Sequence, residues 1–341
     1  MSIHHRLAAL LLLSLAAPAG ANDAATPSFA LRPEVERFMA DLVERHAFDA
    51  EELRRVFSMA RREEGVLEAM RAQPRQSDSW EAYRALFVNE RHVRAGLDFW
   101  KAHAATLARA RATYGVPEEI IVAIIGIETF YGRNTGRWRV IDALATLAFD
   151  YPPRAPFFRS ELESYLLFAR DLNLDVFAVR GSYAGAIGIP QFMPGSYLRY
   201  AVDFDRDGAT DLRANAADAI GSVANFLRRH GWQPGEPVQL RVRVNGEDHA
   251  QFVSLDPLPR HTLLELSQAG VQANNGALPA DTRAVLLRLQ TPERPADYRL
   301  GLQNFYVLTR YNRSLFYGMS VTELADELRA ARRKSRAGAS G

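Results

Sequence analysis

Pro117-Glu118-Glu119-Ile120-Ile121-Val122-Ala123-Ile124-Ile125-Gly126-Ile127-Glu128-Thr129-Phe130-Tyr131-Gly132 is an almost wholly apolar run with one acid, Glu128, near its end. Pro117 suits the first helical position, Glu118 and Glu119 favour the positive end of the dipole, and Gly132 can cap the last turn. The spacing predicts a helix in which Ile125, Ile124 and Ile121 lie three, four and seven residues before Glu128, so the acid shares a face with apolar neighbours. Burial and the negative end of the dipole both disfavour the ionised form and raise the pKa, as a general acid near neutral pH requires. The competing reading is a structural acid paired with Arg133 or Arg137, and the helix taken alone favours it, because ion pairs also occupy such places.

Working outward, the chain reads as mainly α (α+β). Residues 33–116 form a helical N-terminal region, with an amphipathic stretch at Pro33 to His46, capping-box spacing at Asp49-Ala50-Glu51-Glu52, and a longer helix from Asn89 to Tyr114. Residues 117–232 continue helical, broken by Tyr151 to Pro156 and by Gly181 to Pro194. Residues 233–303 change texture to Pro-Gly turns and alternating segments, at Val238 to Val244, Ala284 to Leu289 and Tyr298 to Leu302, and predict a small β domain. Helix returns over 304–331, and 332–341 reads as a solvated, disordered basic tail.

At 341 residues, with 48% hydrophobic and 24% charged side chains, the chain can bury a large core divided into two or three subdomains. Arg6, the apolar run Leu7 to Ala17 and Ala19-Gly20-Ala21 read as a signal peptide over 1–21, followed by a linker over 22–32. The apolar run is too short to span a bilayer, so a soluble periplasmic or secreted mature chain is expected. Without cysteine there is no disulfide, thiolate nucleophile or lipid-modified cysteine. The formal charge of +2 becomes +1 once Arg6 is removed with the signal, which gives no argument for nucleic acid.

Two loops carry further chemistry. Asp203-Phe204-Asp205-Arg206-Asp207-Gly208-Ala209-Thr210-Asp211-Leu212 has acids at loop positions 1, 3, 5 and 9 and glycine at position 6, the spacing of an EF-hand calcium loop. Asp203, Asp205 and Asp207 supply carboxylates and Ala209 a carbonyl. Position 12 is Ala214 rather than Glu, and Asp218 is its natural substitute. The expected ion is calcium in a structural role. Gly181 to Pro194 is dense in glycine, with Ser182 and Gln191 for polar contacts and Tyr183 and Phe192 for flat faces, a composition that fits a sugar groove. Taken alone it equally suits a packed structural loop.

Glu128-Thr129, the glycine-rich loop and the acidic loop follow one another over about 100 residues. In that order, together with Val140 to Leu147, Asp218 to Asn225 and Tyr306 to Asn312, the chain resembles the soluble lytic transglycosylases of the membrane-bound lytic transglycosylase B type, which cleave peptidoglycan. The resemblance implies a lysozyme-like helical core containing the calcium loop, and Glu128 as sole catalytic acid. In such enzymes that acid protonates the glycosidic oxygen between N-acetylmuramic acid and N-acetylglucosamine. It then takes the proton of the muramoyl C6 hydroxyl, which closes a 1,6-anhydro ring without water. Matched residue by residue, Ser182 and Gln191 contact the sugar, Tyr311 and Tyr317 line the groove, and Tyr83, Arg154 and Phe192 serve flanking subsites. Phe226 stands where a groove tyrosine is expected. Glycan strands are the implied partner and cell-wall synthesis proteins further candidates, with no nucleic acid and no membrane anchor.

Ordinary glycoside hydrolysis needs a second carboxylate across the scissile bond, and Asp142 and Asp150 read as structural. A muramidase that admits water and an inactive wall-binding scaffold are the alternatives. No serine triad is supported, since Ser182 lacks the Gly-x-Ser-x-Gly setting.

Overall fold

The helix Glu118–Thr129 is buried along nearly its whole length, as its all-round apolar sequence requires. In the computed structural model, which describes residues 28–72, 79–274 and 278–339, it packs against four helices: Glu90–Ala102, Ala104–Tyr114, Ala216–Arg229 and Leu315–Ala339. The signal segment and the first part of the linker lie outside the described residues. Pro117 is the N-cap rather than the first helical residue. The helix also ends sooner than a cap at Gly132 implies, because Phe130 and Tyr131 both take the left-handed conformation, with φ of 49° and 62°. The Tyr131 ring compensates. It packs where a side chain on Gly126 or Gly96 would collide with it, and its hydroxyl donates to the His92 carbonyl at 2.9 Å.

Several expected boundaries move. The single helix over 89–114 is two helices, which bend at His103, whose ring packs 4.5 Å from that of Phe99. The end of the linker is not free: Phe29 is buried against Phe149, and Arg32 pairs with Asp150 at 2.8 Å. The returning C-terminal helix is also two, Gln303–Tyr311 and Leu315–Ala339, with the chain turning at 312–314. The last helix passes Ala331 and continues through the stretch read as a disordered tail. Arg332 anchors it, pairing with Glu118 at 2.9 Å and stacking 4.1 Å over Trp100, and the Ala, Arg and Lys that follow favour helix. Among the described residues no helix is long and apolar enough to cross a membrane.

The three expected strands appear as Gln239–Val244, Arg283–Leu289 and Asp297–Gly301. With His261–Thr262 and Val271–Ala273 they form an antiparallel sheet, in the order 261–262, 283–289, 297–301, 239–244, 271–273. Alternation sets its two faces. Leu286 and Leu300, opposite each other in register, belong to the small domain's own core with Val242 and Leu266. Val285, Leu287 and Leu289 face the other way and pack with Trp80, Tyr83 and Phe316. Trp80 N–H also donates to the Gln290 carbonyl at 2.7 Å, so the sheet braces the helix Trp80–Phe87 that carries Tyr83.

Candidate active site

Glu128 lies in the last turn of the central helix and is 7% exposed. Its Oε1 accepts from the Tyr317 hydroxyl at 2.7 Å. Burial raises its pKa to about 8, with the Tyr317 hydrogen bond opposing the rise. Among the described residues no charged side chain pairs with it. Arg133 instead stacks over Phe130 at 5.1 Å and Arg137 over Trp138 at 5.1 Å, so the reading of Glu128 as an ion-pair acid is corrected.

Tyrosines surround the carboxyl. Tyr317 and Tyr311 stack nearly parallel, at 13° and 6.3 Å between centroids, and burial together with the nearby Glu128 charge holds both hydroxyls well above their usual pKa. Tyr83, also buried, is raised by the same two causes. The break at 312–314 makes this possible, since it sets Tyr311 at the end of one helix and Tyr317 in the first turn of the next.

The glycine-rich loop is fastened beside the acid at three points. Thr129 Oγ1 donates to the Ile189 carbonyl at 2.8 Å, Tyr311 Oη to the Pro190 carbonyl at 2.6 Å, and Gln191 Nε2 to the Thr135 carbonyl at 3.1 Å. Gln191 Nε2 also reaches the Gly188 carbonyl at 2.9 Å, while its buried Oε1 has no partner among the described residues. Ser182 is fully buried and its Oγ accepts from Ala186 N–H at 3.0 Å. Phe192, 2% exposed, lies under Tyr311 at 5.8 Å and against Phe226 at 5.6 Å. Ser182 and Phe192 thus build the floor of the loop and present no open face. Phe226 completes that floor, edge-on to Tyr311 at 4.8 Å. Arg154 is stacked over Phe157 at 4.4 Å, with Tyr151, Arg313, Glu161 and the loop residue Tyr183 as its charged or polar neighbours.

Three residues at this site carry contacts that the sequence reading did not assign. Thr129 ties the acid's own helix to the loop. Asn312 is 8% exposed with Oδ1 unpartnered, at the turn between the two tyrosine helices. Glu161 is buried and accepts from Gly195 N–H at 2.8 Å, fixing the helix Pro194–Tyr200 into which the loop runs. Adjacency to Glu128 and to Tyr311 was the available signal for the first two. Glu161 had none, being far off in sequence.

The other acids are engaged elsewhere. Asp142 is held by Arg139 at 2.6 Å and by Arg61 N–H at 2.9 Å, and Asp150 by Arg32 and Arg62.

In the acidic loop, carboxylate oxygens of Asp203, Asp205 and Asp218 lie within 4.8 Å of one another. Asp218 is fully buried, and burial together with Asp205 and Asp203 raises its pKa although Phe204 and Asp211 N–H groups donate to it. No guanidinium or ammonium pairs with these three among the described residues, so the convergence fits a hard cation. Asp207 stands outside the trio, its Oδ1 accepting from Ala209 N–H at 2.9 Å. This loop also touches the glycine-rich one: Ile189 N–H donates to the Leu212 carbonyl at 2.8 Å.

Comparison with known proteins identifies the family. The transglycosylase SLT domain family matches residues 30–326. Membrane-bound lytic murein transglycosylase B of Escherichia coli is 41% identical over 313 residues, covering 89% of this chain and 85% of that protein. The soluble lytic transglycosylase SltB1 of Pseudomonas aeruginosa superposes with a TM-score of 0.83 at 44% identity, covering 88% of this chain and 99% of that one. The E. coli lytic transglycosylase Slt35, solved in complex with calcium, gives 0.81 at 41% identity, covering 89% and 95%. The chain belongs to the transglycosylase SLT domain family and is an enzyme of the lytic transglycosylase class.

Proposed function

We propose that this protein cleaves the β-1,4 bond between N-acetylmuramic acid and N-acetylglucosamine in peptidoglycan, leaving a 1,6-anhydromuramoyl end. One observation carries the reading: a buried carboxyl with a pKa near 8 that accepts from a tyrosine hydroxyl and pairs with no charged side chain among the described residues. At neutral pH Glu128 is mostly protonated and gives its proton to the glycosidic oxygen as the bond to C1 breaks. The resulting carboxylate, stabilised by Tyr317 Oη–H, then accepts the proton of the C6 hydroxyl, whose oxygen bonds to C1 of the same sugar. Against hydrolysis by a pair of acids, Asp142 and Asp150 are bound in ion pairs and Glu161 is held by Gly195 N–H. The unpartnered Oε1 of Gln191 and Oδ1 of Asn312 accept sugar N–H or O–H groups, and Tyr83, Tyr311 and Tyr317 line the groove. Ser182 and Phe192 shape it from beneath, and Arg154 serves a flanking position through Tyr183. The signal peptide read over 1–21 and a peptidoglycan substrate both support a periplasmic location. Digesting purified sacculi tests the chemistry: mass spectrometry should find anhydromuramoyl ends throughout. Reducing muramic ends would establish a muramidase instead, and no release at all a scaffold.

Asp203, Asp205 and Asp218, with the Ala209 carbonyl as a further ligand, hold a calcium ion that neutralises their mutual repulsion and takes no part in catalysis; the calcium complex of Slt35 supports the assignment. Calcium at about a hundred times its Kd stabilises a fold by roughly 2.7 kcal/mol, or ~4 °C in a chain of this size. Calorimetry with calcium and with chelator should show that rise, and Asp203→Ala should remove it; melting curves that ignore chelator would defeat the assignment.

A further inference from the structure

We propose that Arg91 and Arg133 form a carboxylate clamp at the rim of the cleft that holds the acidic peptide stems of peptidoglycan. The inference rests on the function proposed above and adds a contact to the part of the substrate that is not sugar. Arg91, from the first turn of the helix Glu90–Ala102, lies 4.5 Å from the centre of the Phe130 ring. Arg133, from the turn after the central helix, lies 5.1 Å from the same centre, which brings the two guanidiniums within about 10 Å of each other. Both are exposed, and neither pairs with a carboxylate among the described residues. The nearest acid in sequence, Glu90, is taken by Arg94 at 2.9 Å. Two cations gathered on one ring without an acid repel each other, and an anionic ligand relieves that repulsion.

Position ties the pair to the cleft. Phe130 follows Glu128 by two residues. A row of rings links it to Tyr83: Phe130 to His92 at 5.0 Å, His92 to Phe87 at 6.1 Å, and Phe87 to Tyr83 at 5.5 Å. On the other side, Arg133 lies in sequence between Thr129 and Thr135, two of the three residues to which the glycine-rich loop is fastened. The pair therefore stands between the ring row that leads to Tyr83 and the segment that fastens the glycine-rich loop. Burial, helped by the charge of Arg91, lowers the pKa of His92 to about 4, so the imidazole adds no charge at neutral pH. Peptide stems hang from alternate sugars of a glycan strand and carry free carboxylates, which a guanidinium fork binds with two parallel N–H donors. The stacking on Phe130 holds each fork in place, which lowers the entropy lost on binding.

The test compares stem-bearing glycan strands with strands whose stems an amidase has removed. Wild type should cleave the stem-bearing strands with the higher kcat/KM. The double variant Arg91→Gln/Arg133→Gln should reduce the ratio of the two kcat/KM values roughly 3–10-fold, through KM, as expected for two exposed charge pairs. Arg91→Lys/Arg133→Lys should recover part of it, and added salt should shrink the difference. A variant that slows both substrates equally, or changes neither, would overturn the clamp. Anhydromuramoyl ends released from stripped strands by every protein would show that the underlying chemistry stands in either case. Their absence from wild type would instead condemn that chemistry.

Discussion

Glu128→Gln should lower the rate of glycan cleavage roughly 10³-fold or more, since one carboxyl performs two proton transfers and each such transfer is worth about 10²–10⁴. Glutamine keeps the volume and can still accept from Tyr317 Oη, so binding of glycan strands and the fold should survive. Stability supplies a second signature. Burial raises the folded carboxyl to about 8 from an ordinary 4.5 in the unfolded chain, so folding takes up a proton between those two values. The stability that the protonated acid contributes is complete below about 4.5, declines as the pH rises through this window, and is gone above about 8. Glutamine has no such loss, and the variant should melt higher than wild type at pH 8 but not at pH 4. For wild type, kcat/KM should fall tenfold per pH unit above about 8, as the acid ionises. Full activity in Glu128→Gln, or a flat rate from pH 8 to 10, would remove Glu128 from the chemistry.

Glu128 was visible in the sequence because its surroundings are local: the apolar residues that bury it stand three, four and seven places away on its own helix. What removed the ion-pair reading was tertiary. Arg133 is close in sequence but its guanidinium is drawn to the Phe130 ring, which the left-handed turn at 130–131 swings out of the helical path. The acidic loop was equally legible, since alternating acids and a glycine state their geometry within ten residues. Asp218 comes to Asp203 and Asp205 from the helix Ala216–Arg229, while Asp207 Oδ1 accepts from Ala209 N–H.

The floor of the groove was hardest to read. Ser182 and Phe192 have the composition of ligand-facing residues, but the loop folds back on itself through paired Ile187 and Phe192 backbone groups, and that turns both side chains inward. Composition reports what a loop can contact, whereas the direction of each side chain depends on what packs above it. Here the packing comes from Tyr311, more than a hundred residues later. The break at 312–314 escaped for the same reason. Asn312 and Ser314 are tolerable in a helix, and only the need to set Tyr311 against the loop and Tyr317 against Glu128 forces two helices from one apolar pattern.

Gly136→Ala should be among the most destabilising single substitutions in the chain. Gly136 has φ of 102°, and a Cβ there would lie 2.0 Å from the carbonyl carbon and oxygen of Gly181 and 2.4 Å from Ser182 N. Those neighbours are backbone, so they can yield only by moving the strand pair that joins Trp138 to Gly181 and Arg139 to Arg180. Separating that pair frees the Thr135 carbonyl from Gln191 and lifts the whole glycine-rich loop. The positive φ alone costs alanine about 1–3 kcal/mol, and Gly235, at φ 82° with no atom within 4 Å, isolates that cost. Gly235→Ala should therefore lower Tm by only a few degrees. Gly136→Ala adds a backbone collision and should exceed ~4 kcal/mol, or roughly 6 °C, with glycan cleavage lost even in the fraction that folds. Calorimetry of the two variants side by side decides the matter. Equal losses would mean that the close approach of 134–139 to the loop carries no energy, and that the loop is held at Thr129 and Tyr311 alone.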